Sequence, residues 1–192
     1  MPTGWTTQDI GGPGQAGGAC QSGGTWTVRG GGADIWNTSD QFRFAYQSAN
    51  APTNATIIAR VTLVQNTDFW AKSGVMFRDG TAANARFLMV AQMPSNEVAF
   101  QWRLTTGGSP GWTGARVGGT AGVKWVRLTK VGNTYTAYYS TATGTPTSVQ
   151  WVQIGSAQTV TLTNPKPGLA VTAHNNTLLN TSTFTGATVS SP

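Results

Sequence analysis

The side-chain pattern of residues 69–104 constrains the fold of this chain more than any other feature. Three runs in which apolar and polar or small residues alternate, at 71–78, 86–92 and 97–104, are separated by short segments rich in turn formers. Asp79-Gly80 opens the first of these segments, and Pro94-Ser95 lies in the second. Alternation with a period of two indicates strands, and Gly, Pro, Asp and Ser between strands indicate tight turns. The pattern predicts three consecutive antiparallel strands.

The two faces of these predicted strands differ in character, because residues two apart along a strand share a face. In the third strand Val98, Phe100, Trp102 and Leu104 share one face, which has the composition of a core. The opposite face is predicted to gather the long polar side chains of the three strands, namely Lys72, Arg78, Arg86, Gln101 and Arg103. Such a face is either a solvated surface or a platform for a polar ligand. We include these five residues in the predicted ligand-binding site.

The composition narrows the class of protein. Charged residues make up 9% of the 192 residues, against about 25% in ordinary soluble domains. Together with 25 glycines and 8 tryptophans, this is typical of secreted all-β modules, many of which handle sugars. The net charge of +6 comes from scattered single bases, so neither a nucleic-acid patch nor a membrane-spanning run is predicted. Cys20 is the only cysteine, which excludes an intrachain disulfide.

The remaining segments predict about thirteen short strands and no helix, since no segment keeps an apolar period of 3.6. Turn signals every 8–12 residues or so indicate a two-sheet antiparallel β-sandwich of the jelly-roll kind, which we expect to form one domain over residues 1–192. Residues 105–122 are predicted to be a long loop that carries Trp112. Residues 149–154 are predicted to pair with residues 158–162.

The acidic residues do not form a recognisable catalytic site. Glycoside hydrolysis normally needs two carboxylates around one bond, yet Glu97 is the only glutamate and no other acid lies within ten residues of it. We therefore predict that the protein is not an enzyme. No cofactor is expected except a structural calcium ion, for which Asp34 and Asp40 are the candidate ligands. The alternative is that these aspartates cap turns.

Several residues outside the three strands are candidate ligand contacts. Trp112 lies among Gly, Pro and Ser, where an exposed ring is available to stack on a sugar. Trp36 and Trp70 flank aspartates at predicted strand ends, and of these two the predicted site includes Trp36. The polar group His174, Asn175 and Asn176 ends a predicted strand, where it would either bind hydroxyl groups or terminate the strand through local turns.

Several segments taken in order resemble a known family. They are GGTWTVRGGGADIW, IIARVTLVQNTDFWAKSGVMFRDGTAANARFLMVA, WVRLTKVGNTYTAYYS and GLAVTAHNN, and the resemblance covers residues 5–189. They resemble bacterial extracellular β-sandwich modules of the concanavalin A-like lectin/glucanase superfamily, close to the domains named DUF1349-like. The resemblance implies a jelly roll and carbohydrate binding, and some members of this superfamily hold calcium. It also implies attachment to secreted glycoside hydrolases, but it identifies no sugar.

The expected function is that of a non-catalytic carbohydrate-binding module, secreted as part of a larger protein, that brings a tethered glycoside hydrolase to its polysaccharide. The alternatives are a structural or adhesive surface module without a sugar ligand, and a polysaccharide-active enzyme. Two binding modes are open at this point. An acidic glycan would contact Arg78, Arg86 and Arg103, whereas a neutral glycan would stack on Trp112.

Overall fold

The computed structural model describes residues 1–95, 97–116 and 124–191, and these fold almost entirely as β-strands, numbered here in chain order. Seven strands form the first sheet: β1 (Trp5–Ile10), β4 (Phe42–Gln47), β6 (Lys72–Asp79), β7 (Phe87–Gln92), β8 (Glu97–Arg103), β9 (Gly111–Arg116) and β14 (Pro165–Thr172). Eight strands form the second sheet: β2 (Gly18–Ser22), β3 (Thr25–Gly32), β5 (Asn54–Val64), β10 (Lys124–Val131), β11 (Thr134–Ser140), β12 (Val152–Gln153), β13 (Gln158–Thr159) and β15 (Asn175–Ser190).

All pairings between these strands are antiparallel. The first sheet has the order β1-β4-β14-β6-β7-β8-β9, and the second has the order β12-β11-β10-β5-β15-β3-β2 with β13 beside β11. The predicted two-sheet antiparallel β-sandwich is therefore confirmed. Within the described ranges the only helical segment is a 3₁₀ turn at Ser148–Gln150, and no helix there has the length and apolarity needed to cross a bilayer.

The main core lies between the two sheets, as alternation within the strands requires. Val75 and Phe77 of β6 and Val90 of β7 point to the second sheet, and all three are fully buried. Phe77 meets the ring of Tyr135 in β11, with 5.7 Å between the ring centroids. The central strands β6, β7 and β8 agree with the predicted meander to within two residues at each end.

The outer face of the first sheet is the main departure from the predicted surface. Met76, Phe87 and Met89 lie on this face and form a second apolar cluster with Ile35, which comes from the connection between β3 and β4. The register places Met76 beside Met89, so the polar residues of β6 and β8 share their face with these apolar side chains. A chain segment that crosses the first sheet covers most of its outer face. The prediction that the long polar side chains form an exposed face was therefore wrong.

Two predicted connections differ from the structure. Trp112 lies in strand β9, where the prediction had a loop over 105–122; residues 117–122 of that loop lie outside the described ranges. The predicted pairing of residues 149–154 with residues 158–162 is wrong. Strands β12 and β13 each pair with β11 and not with each other. Strand β11 offers a free edge on the side away from β10, and a longer strand is a better partner than another segment of two residues.

Candidate functional site

A cleft opens at one end of the outer face of the first sheet, where several strand ends meet. Antiparallel pairing places Lys72, at the start of β6, beside Thr172, at the end of β14, and the next residue Ser73 beside Gln92, at the end of β7. The cleft has a volume of about 280 Å³, near the lower end of the range for small-molecule sites. Its lining residues are Asp34, Trp36, Trp70, Lys72, Met93, Gln101, Trp112 and His174.

Three tryptophans from different segments line the cleft. Trp70 and Trp112 are 41% and 47% exposed, which is high for this side chain, and Trp36 is half-buried. Trp70 is held by an edge-to-face contact with Phe69, with 5.0 Å between ring centroids. Trp112 stands on β9, directly across from Gln101 of β8. Exposed aromatic faces beside polar groups are the usual lining of small-molecule sites.

A chain of polar contacts runs along the cleft. The Nζ of Lys72 donates hydrogen bonds to Asp34 Oδ1 and, at 3.3 Å, to the carbonyl oxygen of Trp70. His174 lies between two carboxylates, with Nε2 3.3 Å from Asp34 Oδ2 and Nδ1 3.0 Å from Asp68 Oδ1. Asp68 Oδ1 in turn accepts a hydrogen bond of 2.7 Å from the backbone nitrogen of Trp70. The hydrogen bonds of Lys72 and Asp68 hold the segment that carries Trp70, and the imidazole ring lies within ion-pair distance of both carboxylates.

The backbone is strained at two points of this cleft. His174 and Asn37, which follows Trp36, have φ angles of +50° and +51°. They are the two non-glycine residues with positive φ in the described ranges. This conformation is uncommon for non-glycine residues and tends to occur at functional sites. It directs the His174 side chain, which comes just after the end of β14, into the cleft lining.

Gln101 forms part of the floor of the cleft. It is only 3% exposed, and its Oε1 has no hydrogen-bond partner among the residues that the structure describes. Buried polar atoms without a partner are rare in folded proteins, and each calls for an explanation. Because Gln101 also lines the cleft, a rotation of its side chain would bring this acceptor to a ligand that donates a hydrogen bond.

A buried ionic cluster lies on the outer face of the first sheet, covered by the segment between β3 and β4. It is separate from the cleft lining. Asp40 Oδ2 accepts hydrogen bonds of 2.7 Å from Arg78 Nη1 and from Arg103 Nη1, and its Oδ1 accepts one of 2.6 Å from Arg103 Nη2. All three residues are fully buried. Burial lowers the pKa of Arg78, while the charge and the hydrogen bond of Asp40 oppose that shift. The assignment of Arg78 and Arg103 to a ligand-contacting surface is therefore corrected: they bind Asp40 and backbone carbonyls.

Three further candidates lie away from the cleft. Arg86 pairs with Asp79 beside the turn between β6 and β7. Asn175 Oδ1 accepts hydrogen bonds from the backbone and side chain of Thr177, which is the local turn that was the alternative for this segment. Asn176 Oδ1 accepts a hydrogen bond of 2.6 Å from the backbone nitrogen of Gly14.

The two candidate calcium ligands do not fit a calcium site. A cation would have to displace two guanidinium groups to reach the carboxylate of Asp40, and Asp34 is held by Lys72 and His174. In the parts of the chain that the structure describes, no group of three or more His, Cys, Asp or Glu residues is placed to hold a metal. Asp34 instead orders the cleft by binding two of its lining residues.

The structure thus places five of the ten predicted ligand residues at one cleft, namely Trp36, Lys72, Gln101, Trp112 and His174. It adds Trp70, which the prediction weighed but left out, and Met93, which the prediction placed in a turn. Met93 continues the alternation of Met89 and Ala91, and that alternation was the available signal for its position. Asp68 was missed as a partner of His174, because contacts between separate loops have no period in the sequence.

Comparison with known proteins supports the fold. No protein-family model matches the chain, and no curated protein matches its sequence. A functionally unknown protein from Saccharomyces cerevisiae aligns with a TM-score of 0.69 at 16% identity over 99% of this chain and 97% of its own. The carbohydrate-binding module CBM66 from Bacillus subtilis aligns with a TM-score of 0.60 at 17% identity over 98% and 96%.

The lumenal domain of VIP36, in a form bound to Ca²⁺ and Man3GlcNAc, aligns with a TM-score of 0.57 at 7% identity over 100% of this chain and 85% of its own. At such low identities the likeness concerns the fold alone. This chain therefore shares its two-sheet β-sandwich fold with the CBM66 module and the VIP36 lumenal domain.

Proposed function

We propose that this protein binds a carbohydrate in the cleft and performs no chemistry on it. The observation that carries this proposal is the set of three tryptophans, Trp36, Trp70 and Trp112, around one small cleft with a polar lining. Two similar folds belong to a carbohydrate-binding module and to the VIP36 lumenal domain bound to Ca²⁺ and Man3GlcNAc, which supports the choice of ligand class.

The aromatic residues suit the apolar faces of a sugar. A pyranose or furanose ring presents C–H groups on its faces, and a flat indole ring buries such a face efficiently. Leaving Trp70 and Trp112 nearly half exposed is costly without a partner, because each exposed ring keeps a large apolar area in water. A stacked sugar would remove that area from water.

The polar residues suit the hydroxyl groups of a sugar. Lys72 and His174 bring nitrogen atoms to the cleft, and Asp34 and Gln101 bring oxygen atoms. Hydroxyl groups both donate and accept hydrogen bonds, so a lining that mixes donors and acceptors can satisfy several of them at once. Lys72, Asp34 and His174 are already held by one another, which reduces the entropy that binding would cost.

The arrangement of the acids favours binding over hydrolysis. A glycosidase needs one carboxylic acid to donate a proton and a second carboxylate on the other side of the bond. Asp34 contacts Lys72 and His174, and Asp68 contacts the same imidazole, so the two carboxylates are engaged on one side of the cleft and do not face each other across a bound sugar. Glu97 is buried and is not part of the cleft lining.

We further propose that the chain works as a secreted bacterial module beside a tethered glycan-degrading enzyme. Attachment through the cleft would raise the effective concentration of that enzyme at its polysaccharide. The resemblance of the sequence to modules of such enzymes supports this part of the proposal.

The test is affinity electrophoresis against a panel of neutral and acidic polysaccharides, with Trp112→Ala and Trp70→Ala beside the unchanged protein. Trp151→Ala is the matched control, because Trp151 packs on Arg127 on the second sheet, away from the cleft. Truncating a central aromatic contact costs about 2 kcal/mol or more, so each cleft variant should bind at least about tenfold more weakly.

Two results would count against the proposal. If no glycan retards the folded protein, a structural or adhesive role takes its place. If the protein releases reducing sugar from a bound polysaccharide, the protein is an enzyme.

A further inference from the structure

Gln101 leaves one hydrogen-bond acceptor at the cleft without a partner among the described residues when no ligand is bound. Its side chain lies on the floor between Met89 of β7 and Trp112 of β9, to which β8 pairs on either side. Only 3% of this residue is exposed, and within the described parts of the chain Oε1 has no hydrogen-bond partner. An acceptor that is withdrawn from water and left without a hydrogen bond is costly, and the cost is recovered when a ligand donates to it.

The group that completes this site must carry a hydrogen. A sugar hydroxyl or an acetamido N–H donates to an amide oxygen, whereas a carboxylate or a sulfate group has only acceptor oxygens to offer. An anionic group at Gln101 could accept a hydrogen bond from the amide N–H, but it has no hydrogen to donate and would leave Oε1 without a partner.

The charges around the cleft act in the same direction. Lys72 is the only lysine or arginine among the lining residues that the structure describes, and its Nζ already contacts Asp34 and the carbonyl of Trp70. The negative groups are Asp34 in the lining and Asp68 against His174. Arg78 and Arg103 cannot contact an anion in the cleft, because both are buried against Asp40. An entering anion would lose its hydration without gaining an uncommitted cation.

We propose that the cleft selects an uncharged glycan, with Gln101 as the residue that determines specificity by accepting a hydrogen bond from a ligand hydroxyl or N–H. This inference rests on the proposed carbohydrate binding and specifies its ligand class. Of the two binding modes left open by the sequence, it selects the neutral one, with the sugar face against the tryptophans and one donor group directed at the floor.

The experiment compares matched polysaccharides that differ in charge, such as unsubstituted xylan with glucuronoxylan and methyl-esterified with de-esterified polygalacturonate. Binding is measured by affinity electrophoresis and titration calorimetry from about 0.05 M to about 0.5 M NaCl, a range over which exposed ionic contacts are strongly screened. The variants are Gln101→Met, which keeps the length of the side chain but removes the amide, and Gln153→Met as its control. Gln153 is exposed in β12 on the other sheet.

The expected result is binding to a neutral glycan that changes by less than about twofold over this salt range. Gln101→Met should weaken it by about tenfold or more, since a site built around a hydrogen bond rejects partners that lack it, and Gln153→Met should not. The salt series needs no variant, so it tests the proposal even if Gln101→Met folds poorly.

Three outcomes separate this inference from the function on which it rests. If only acidic glycans bind, steeply weakened by salt and lost in Trp112→Ala, the cleft is a carbohydrate site but its selectivity is not the one proposed. Neutral binding that survives intact in a folded Gln101→Met variant would remove Gln101 from its role. The absence of binding to every glycan overturns both the function and the inference.

Discussion

Arg103 donates a hydrogen bond of 3.1 Å from Nη2 to the carbonyl oxygen of Trp36, and so links the buried ionic cluster to the cleft. The same nitrogen donates to the carbonyl oxygen of Asn37 at 2.8 Å and to Asp40 Oδ1 at 2.6 Å. One guanidinium group thus holds both the buried carboxylate of Asp40 and the backbone that carries a tryptophan of the cleft. The planar group with five donors is suited to this, and a lysine is not.

Asp40→Asn should destabilise the protein by about 3–5 kcal/mol, because it removes the charge between two fully buried guanidinium groups. The measurement is the free energy of unfolding from urea denaturation. Asp9→Asn is the control, because Asp9 pairs with Arg43 at 3.3 Å near the surface and its loss should cost about 1 kcal/mol. Equal losses in the two variants would contradict the role given to the buried cluster.

Arg103→Lys should weaken glycan binding several-fold in a protein that still folds. The lysine keeps a charge for Asp40, but it cannot at the same time replace the bonds to Trp36 and Asn37. Calorimetric titration with the glycan found by electrophoresis provides the measurement. Arg86→Lys changes an ion pair away from the cleft and should leave the affinity unchanged. An unchanged affinity in Arg103→Lys would show that Trp36 needs no such support.

Gly74→Ala should lower the melting temperature by roughly 5 °C or more. A Cβ at this position would lie 1.9 Å from the carbonyl oxygen of Val90, so β6 and β7 would have to move apart at the centre of the first sheet. Overpacking of this kind costs about 2 kcal/mol or more, and each kcal/mol shifts the melting temperature by ~2–4 °C in a protein of this size. In Gly18→Ala, on β2, the added Cβ meets no atom within 4 Å, and the melting temperature should stay the same.

Tyr135→Phe should change how stability depends on alkaline pH. Burial raises the pKa of the Tyr135 phenol above its ordinary value, with Asp79 adding to the shift and Arg86 opposing it. Above pH ~10 the unfolded chain loses this proton while the folded protein keeps it. The unfolded state then binds fewer protons, and stability falls as the pH rises. Without the phenol, that fall should be less steep.

The same variant has a second expected result near pH 8, where the phenol is protonated in both states. In the described ranges the hydroxyl group of Tyr135 has no hydrogen-bond partner, so its removal should be neutral or stabilising. Tyr46→Phe is the contrasting variant, because the Tyr46 hydroxyl donates to Gln8 Oε1 at 3.0 Å and its loss should cost about 1 kcal/mol. Urea midpoints measured near pH 8 and above pH ~10 test both expected results. A large loss of stability in Tyr135→Phe near pH 8 would contradict the second one.

Part of the cleft was predictable from local patterns. Lys72 and Gln101 were assigned to one face by alternation alone, and Trp112 by its exposed surroundings, although it lies in a strand and not in a loop. The error at Arg86 came from the same rule, because Arg86 lies before β7 begins and its guanidinium pairs with Asp79. These local patterns do not indicate which residue each polar side chain contacts.

The sequence by itself determined the β-sandwich, because a period of two and regular turn signals are local properties that backbone geometry turns directly into strands and hairpins. Only the tertiary structure decided which polar residues line the cleft. The segment between β3 and β4 brings Ile35 and Asp40 over the first sheet, so Arg78 and Arg103 become buried while Lys72 and Gln101 remain at the cleft. The path of a loop across a sheet depends on long-range packing and ion pairing, which no periodicity along the chain records.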